Sequence, residues 1–183
     1  SAEVGSNDDV VIIGLGPMGL FHVVAAKYNG AKSITCVDID AARLEVARRL
    51  GADYVINSRE EDPVAAIRER TDGLGASKIF VTSGGRAQGP CTQQALQMVC
   101  KKGTVALFAS ADVKADELTI SMNFIHYNMI RLTGTVGFGT EHAEKALKIL
   151  ASGIFAPEII RNKEYPLEQI EDAISLYGKG ENL

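Results

Sequence analysis

The chain has 183 residues, 46% of them hydrophobic and 23% charged, with a net charge of −4 at pH 7. That is room for one well-buried domain, since a chain of about 150 residues already buries roughly 70% of its unfolded surface. The mild acid excess without basic blocks excludes the electrostatic footprint of a nucleic-acid binder, the apolar runs are too short to span a membrane, and no signal-peptide pattern opens the sequence.

Residues 1–9 are polar and read as a linker or domain boundary. Val10–Ile13 predicts a first strand, which feeds the turn Gly14-Leu15-Gly16-Pro17-Met18-Gly19 and a helix from about Met18 to Tyr28. Ser33–Val37 is a second strand, and Asp38 follows it, 24 residues after Gly14. Asp40 caps a helix over Ala41–Leu50, and Gly51 ends it. Tyr54–Ile56 is a short third strand. Asp62-Pro63 opens a helix running to Arg70. Lys78–Val81 is a fourth strand ending in Thr82-Ser83-Gly84-Gly85, followed by a helix over Pro90–Cys100 that Gly103 terminates. Thr104–Phe108 is a fifth strand. After an irregular stretch come a sixth strand over Ile130–Val136 and a helix over Glu141–Leu150 capped by Thr140. Pro166 starts a last helix with Leu167, Ile170, Ala173, Ile174 and Tyr177 on one face.

Strands alternating with helices predict an α/β fold, a doubly wound six-stranded parallel sheet of the Rossmann type in the order 3-2-1-4-5-6. Ligands of such sheets lie beyond the carboxyl ends of the strands, at the switch point. The glycine turn falls there, as do Ser83-Gly84-Gly85, Phe108-Ala109-Ser110 and Thr135-Val136-Gly137.

The turn has the chemistry of a dinucleotide site. Gly14 permits the tight exit from the strand, Gly16 lets backbone approach a pyrophosphate, and Gly19 lets the helix pack on the sheet. Pro17 fits a first helical position, and the helix dipole favours phosphate at its N-terminus. Asp38 suits the two hydroxyls of an adenosine ribose and repels a 2′-phosphate. Two like charges 4 Å apart cost about 4 kcal/mol near a protein surface, roughly three powers of ten in affinity. This predicts NAD rather than NADP. Arg43, five residues after Asp38, is placed to contact the ribose or a phosphate.

Several segments together resemble the nucleotide-binding domain of the medium-chain dehydrogenase/reductase family, the zinc-type alcohol, sorbitol and threonine dehydrogenases. They are Val11–Gly19, Val37–Asp40, Arg43–Ala47, Leu50–Asp53, Gly103–Phe108 and the helix Glu141–Leu150. The resemblance implies that Gly14, Gly16, Pro17, Met18 and Gly19 hold pyrophosphate. It implies that Asp38, Ile39 and Arg43 hold adenosine, and that Ser83, Gly84, Gly85, Phe108, Ala109 and Val136 line the nicotinamide side. The strand around Leu132–Val136 resembles the family's dimer-forming edge, implying a homodimer or tetramer. Family members bind a catalytic zinc through Cys, His and Glu on a separate N-terminal domain. No Cys-x-x-Cys or His-Glu pair occurs here. The whole chain, 1–183, therefore reads as a single NAD-binding domain of a larger enzyme that oxidises a secondary alcohol, polyol or hydroxy-amino acid, with the catalytic domain and its zinc expected elsewhere and no activity of its own.

Other readings stand beside this one. A stand-alone module that senses NAD(H) or mediates assembly has the same motifs. A zinc-free, NADP-dependent quinone reductase is disfavoured by Asp38. His22, His126 and His142 are too scattered to suggest a metal site, and Arg86 reads equally as a cofactor contact or a surface arginine. Cys36, Cys91 and Cys100, an odd set without paired spacing, read as reduced thiols of a cytoplasmic protein.

Overall fold

The structure is a computed structural model that describes residues 2–161 and 163–178. The first apolar run forms β1 (Asp9–Ile13), and α1 (Pro17–Tyr28) leaves the glycine turn with Pro17 in its first turn. β2 (Ser33–Asp38) follows, then α2 (Ala41–Leu50), β3 (Tyr54–Asn57) and α3 (Pro63–Arg70). The caps predicted at Asp40 and Asp62 hold. Asp40 Oδ1 accepts from the amide of Ala42 at 2.8 Å, and Asp62 Oδ1 from that of Val64 at 3.1 Å. β4 (Ala76–Val81) leads to α4 (Gln88–Met98) and β5 (Val99–Leu107). Then come α5 (Met122–Asn128), β6 (Arg131–Gly134), α6 (Thr140–Ala151) and α7 (Ile170–Gly178).

The sheet has six strands in the order β3-β2-β1-β4-β5-β6, every described pairing parallel. Alternate residues of each strand face opposite layers. Val11, Ile13, Val37, Ile79, Val81 and Val105 pack on Ala66 and Ile67 of α3 and Ala95, Leu96 and Met98 of α4. Val10, Ile12, Ile34 and Cys36 pack on Leu20, Val23 and Val24 of α1 and Leu44, Ala47 and Leu50 of α2. This is the doubly wound fold that the alternation of elements predicts.

The differences are local. The helix expected over Pro90–Cys100 begins at Gln88 and ends at Met98, because Val99 and Cys100 already belong to β5. Gly103 is inside that strand, beside a register shift between Ala76 and Lys78. β6 is shorter than expected, and Gly139 rather than Thr140 precedes α6. The stretch read as irregular contains α5, whose first turn is capped by Ser121 Oγ on the amide of Phe124 at 3.2 Å. Leu167–Gln169 forms a 3-10 turn before α7. Leu167, Ile170 and Ile174 are exposed, and the side chain of Tyr177 and the segment 179–183 lie outside the described residues. Within the polar opening stretch, Ala2 is buried, Asp8 Oδ1 accepts from Ser77 Oγ at 2.7 Å, and Asp9 begins β1. Among the described residues no helix is long and apolar enough to cross a membrane.

Candidate functional site

The glycine turn is clamped from both sides. The Gly14 amide donates to Val37 O of β2 at 2.9 Å, while the amides of Thr82 and Ser83, just past β4, donate to Ile13 O at 2.9 and 3.1 Å. Thr82 Oγ1 reaches Gly14 O at 2.5 Å. Gly14 has φ +95°, and a Cβ there would stand 2.7 Å from the Ser83 amide nitrogen. Both facts require glycine. Gly19 is required by proximity: its Cβ would come within 2.9 Å of the Gly14 carbonyl carbon. Gly16 differs. Its φ is −60° and a Cβ there would meet nothing within 4 Å.

Gly16 is also the N-cap of α1, with no side-chain cap and no acid in the first turn. The first amides of a helix have no intrahelical acceptor, so this end is left for an external anion.

Beside the turn lies a cleft of about 350 Å³. It is lined by Ile13–Gly16, by Val37, Asp38 and Ile39, by Arg43, and by Thr82, Ser83 and Gly84. Ser58, at the end of β3, and Ala87, Cys91 and Gln94, on the α4 side, complete it; sequence reasoning did not assign these, nor Thr82, to the site. The spacing of 87, 91 and 94 is one helical face and carried that signal. Asp38 is buried, with both carboxylate oxygens on backbone amides. Ile39 is 53% exposed, an apolar plate on the rim. Arg43 turns its guanidinium toward Asp40 at 3.8 Å. Burial pushes the Cys91 thiol up from its ordinary value, opposed by its hydrogen bond with Ser83.

A second cleft, of about 800 Å³, opens on the opposite face of the sheet, against α1. It takes in His22, Phe80, Phe108 and Val136, with Asn29 and Lys145 at its border. The His22 ring meets Phe108 edge-on at 4.8 Å and Phe80 at 5.0 Å. Its Nδ1 lies 2.7 Å from Met18 O, and burial lowers its pKa. The structure therefore divides the expected residues. Gly14, Gly16, Asp38, Ile39, Arg43, Ser83 and Gly84 share the first cleft, and Phe108 and Val136 face the second. Gly85 is turned toward the β5 loop, its amide donating to Ser110 O at 2.9 Å, and Ala109 backs Gly84. Pro17, Met18 and Gly19 form the first turn of α1 and line neither cleft. Arg86 is exposed and paired with Asp112 at 3.5 Å. Among the described residues no group of three or more His, Cys, Asp or Glu is placed to hold a metal ion.

Residues 17–152 match the family of zinc-binding dehydrogenases. The chain is 33% identical over 165 residues to sorbitol dehydrogenase of Bacillus subtilis, covering 90% of this chain and 45% of that protein. It is 31% identical over 180 residues to D-arabitol-phosphate dehydrogenase of Enterococcus avium, covering 96% and 49%. The crystal structure of benzyl alcohol dehydrogenase from Acinetobacter calcoaceticus superposes with a TM-score of 0.89 at 29% identity, over 100% of this chain and 49% of that one. The chain spans about half the length of the curated relatives it matches. Matched fold, turn and sequence lead to one conclusion: the chain belongs to the zinc-binding dehydrogenases of the medium-chain dehydrogenase/reductase family and corresponds to their nucleotide-binding domain.

Proposed function

We propose that this chain is the cofactor domain of an NAD-dependent oxidoreductase whose substrate is a secondary alcohol, polyol or hydroxy-amino acid. Gly16 carries the reading. Neither packing nor backbone geometry asks for glycine at that position. A pyrophosphate lying against the backbone does, and the uncapped end of α1 supplies amides to meet it.

The first cleft lies at the glycine turn, and the second lies against α1 on the other face of the sheet. That arrangement suits a molecule with two nucleoside halves. Gly14, Gly16, Pro17, Met18 and Gly19 take the pyrophosphate. Asp38 and Arg43 take the adenosine ribose, and Ile39 covers the adenine. Ser83 and Gly84, backed by Gly85 and Ala109, guide the chain of the cofactor over the edge, and Phe108 and Val136 flank the nicotinamide. Bound nicotinamide supplies the hydride acceptor. The protein's residues orient it and keep water from one face. Zinc does not fit the donors described here; in the intact enzyme it is expected on the other half of the family's chain.

This chain alone binds the dinucleotide and turns over nothing. Its reduced thiols favour a cytoplasmic home. The open edge at β6, where Leu132 is exposed, favours a homodimer or a higher homo-oligomer. Titration with NADH and NADPH, followed by nicotinamide fluorescence, tests the cofactor. NADH is expected to bind at least tenfold more tightly; equal affinities, or no binding of either, would overturn the reading.

A further inference from the structure

Asp38 is the one buried carboxylate among the described residues. A buried charge persists only with partners, and its hydrogen-bond donors are backbone amides. Oδ1 accepts from Ile39 at 2.7 Å and from Asp40 at 2.9 Å, bonds that shape the bend leaving β2. Oδ2 accepts from Leu15 at 2.5 Å. That bond is long-range. It spans 23 residues and ties the end of β2 to the middle of the glycine turn. Leu15 is 0% exposed, so its amide has no water to bond with in place of the acid.

We infer that Asp38 is a positioning residue for the glycine turn: its carboxylate holds Gly14–Gly16 in the receiving shape before any dinucleotide arrives. The inference rests on the dinucleotide reading only for what the turn receives; the clamp belongs to the free chain. An ionised carboxylate is acceptor-only. Asparagine at this position must aim its amino group either at the Leu15 amide or at the Ile39 and Asp40 amides, donor against donor. Alanine there leaves all three amides without this acceptor and releases the turn.

Amide hydrogen exchange on the ligand-free 183-residue chain tests the clamp without any cofactor. In the unsubstituted chain the Leu15 amide is expected to exchange at least tenfold more slowly than an unprotected amide. In Asp38→Ala its rate is expected to rise at least tenfold while Ile12 and Val37 stay protected, which separates a released turn from an unfolded domain. NADH affinity is expected to fall at least tenfold in that variant, and the preference for NADH over NADPH to narrow as the repulsion of the 2′-phosphate is lost. An unprotected Leu15 amide in the unsubstituted chain overturns the clamp, whatever the variant does. So does a variant that keeps the Leu15 amide protected. If the unsubstituted chain binds neither dinucleotide, the cofactor reading fails, and exchange at Leu15 still judges the clamp by itself.

Discussion

Gly19 lays its bare α-carbon against the Gly14 peptide, so closely that a Cβ would stand 2.9 Å from the Gly14 carbonyl carbon. Gly16, between them, has open space where its Cβ would go. The two positions therefore separate folding from binding. Gly19→Ala is expected to destabilise the domain by about 1–3 kcal/mol, the usual range for overpacking. Gly16→Ala is expected to leave the melting temperature within a degree or two and to reduce NADH affinity at least tenfold. Thermal unfolding and NADH titration of both variants check this; a Gly16→Ala chain that binds NADH normally removes the main support for the cofactor reading.

Thr82 braces the turn from below through Oγ1 to Gly14 O. Thr82→Val keeps the branched shape and deletes the hydroxyl. One neutral hydrogen bond contributes about 1 kcal/mol, which for a domain of this size is a fall of about 2–4 °C in Tm. Calorimetry of the variant reads that shift. An unchanged Tm would mean that the bond contributes nothing.

Cys91 reports on occupancy of the first cleft. Burial holds its thiol above the ordinary value, and only the thiolate is a good nucleophile. Alkylation by iodoacetamide at pH 7.5 is expected to be slow, and slower again with saturating NADH. Cys100, which does not line that cleft, is an internal reference whose rate NADH leaves alone. Mass spectrometry of the modified peptides distinguishes the two. Equal protection of both thiols would point to general tightening rather than a filled cleft.

His22 gives a pH signature. Its pKa is lowered in the folded chain by burial, with the hydrogen bond to Met18 O opposing. The unfolded chain therefore binds the proton first as pH falls below the ordinary value of 6.5. Stability contributed by the neutral ring is complete above that pH and declines from there toward the folded-state pKa. His22→Phe is expected to flatten this part of the curve. Urea unfolding from pH 7.5 to 5 measures it, and a slope that persists in the variant assigns the effect to another group.

Much of this was legible in the sequence because short-range chemistry decided it. Apolar runs ended in glycine turns, and Asp40 and Asp62 capped the helices where their spacing placed them. What misled was a glycine with two meanings. Gly103 reads as a helix stop, yet β5 already begins at Val99, which pairs with Ala76, and the register shift before Lys78↔Thr104 absorbs three extra residues on β5. A bulge is a property of two strands and has no signature in one. The site followed the same division. Gly14, Gly16 and Asp38 stand at the ends of apolar strand runs that the sequence displays, whereas Ser58 and Gln94 reach the cleft only through the packing of β3 and α4.

The contrast between Gly16 and its two neighbours has an evolutionary reading. Folding alone preserves glycine at 14 and 19, since a side chain at either collides with the protein itself. Nothing in the free domain preserves it at 16. A descendant released from its cofactor would drift first at that position while keeping its architecture. Among relatives of this chain, a side chain at 16 flanked by two intact glycines is the expected signature of a domain that keeps the turn and no longer binds a pyrophosphate.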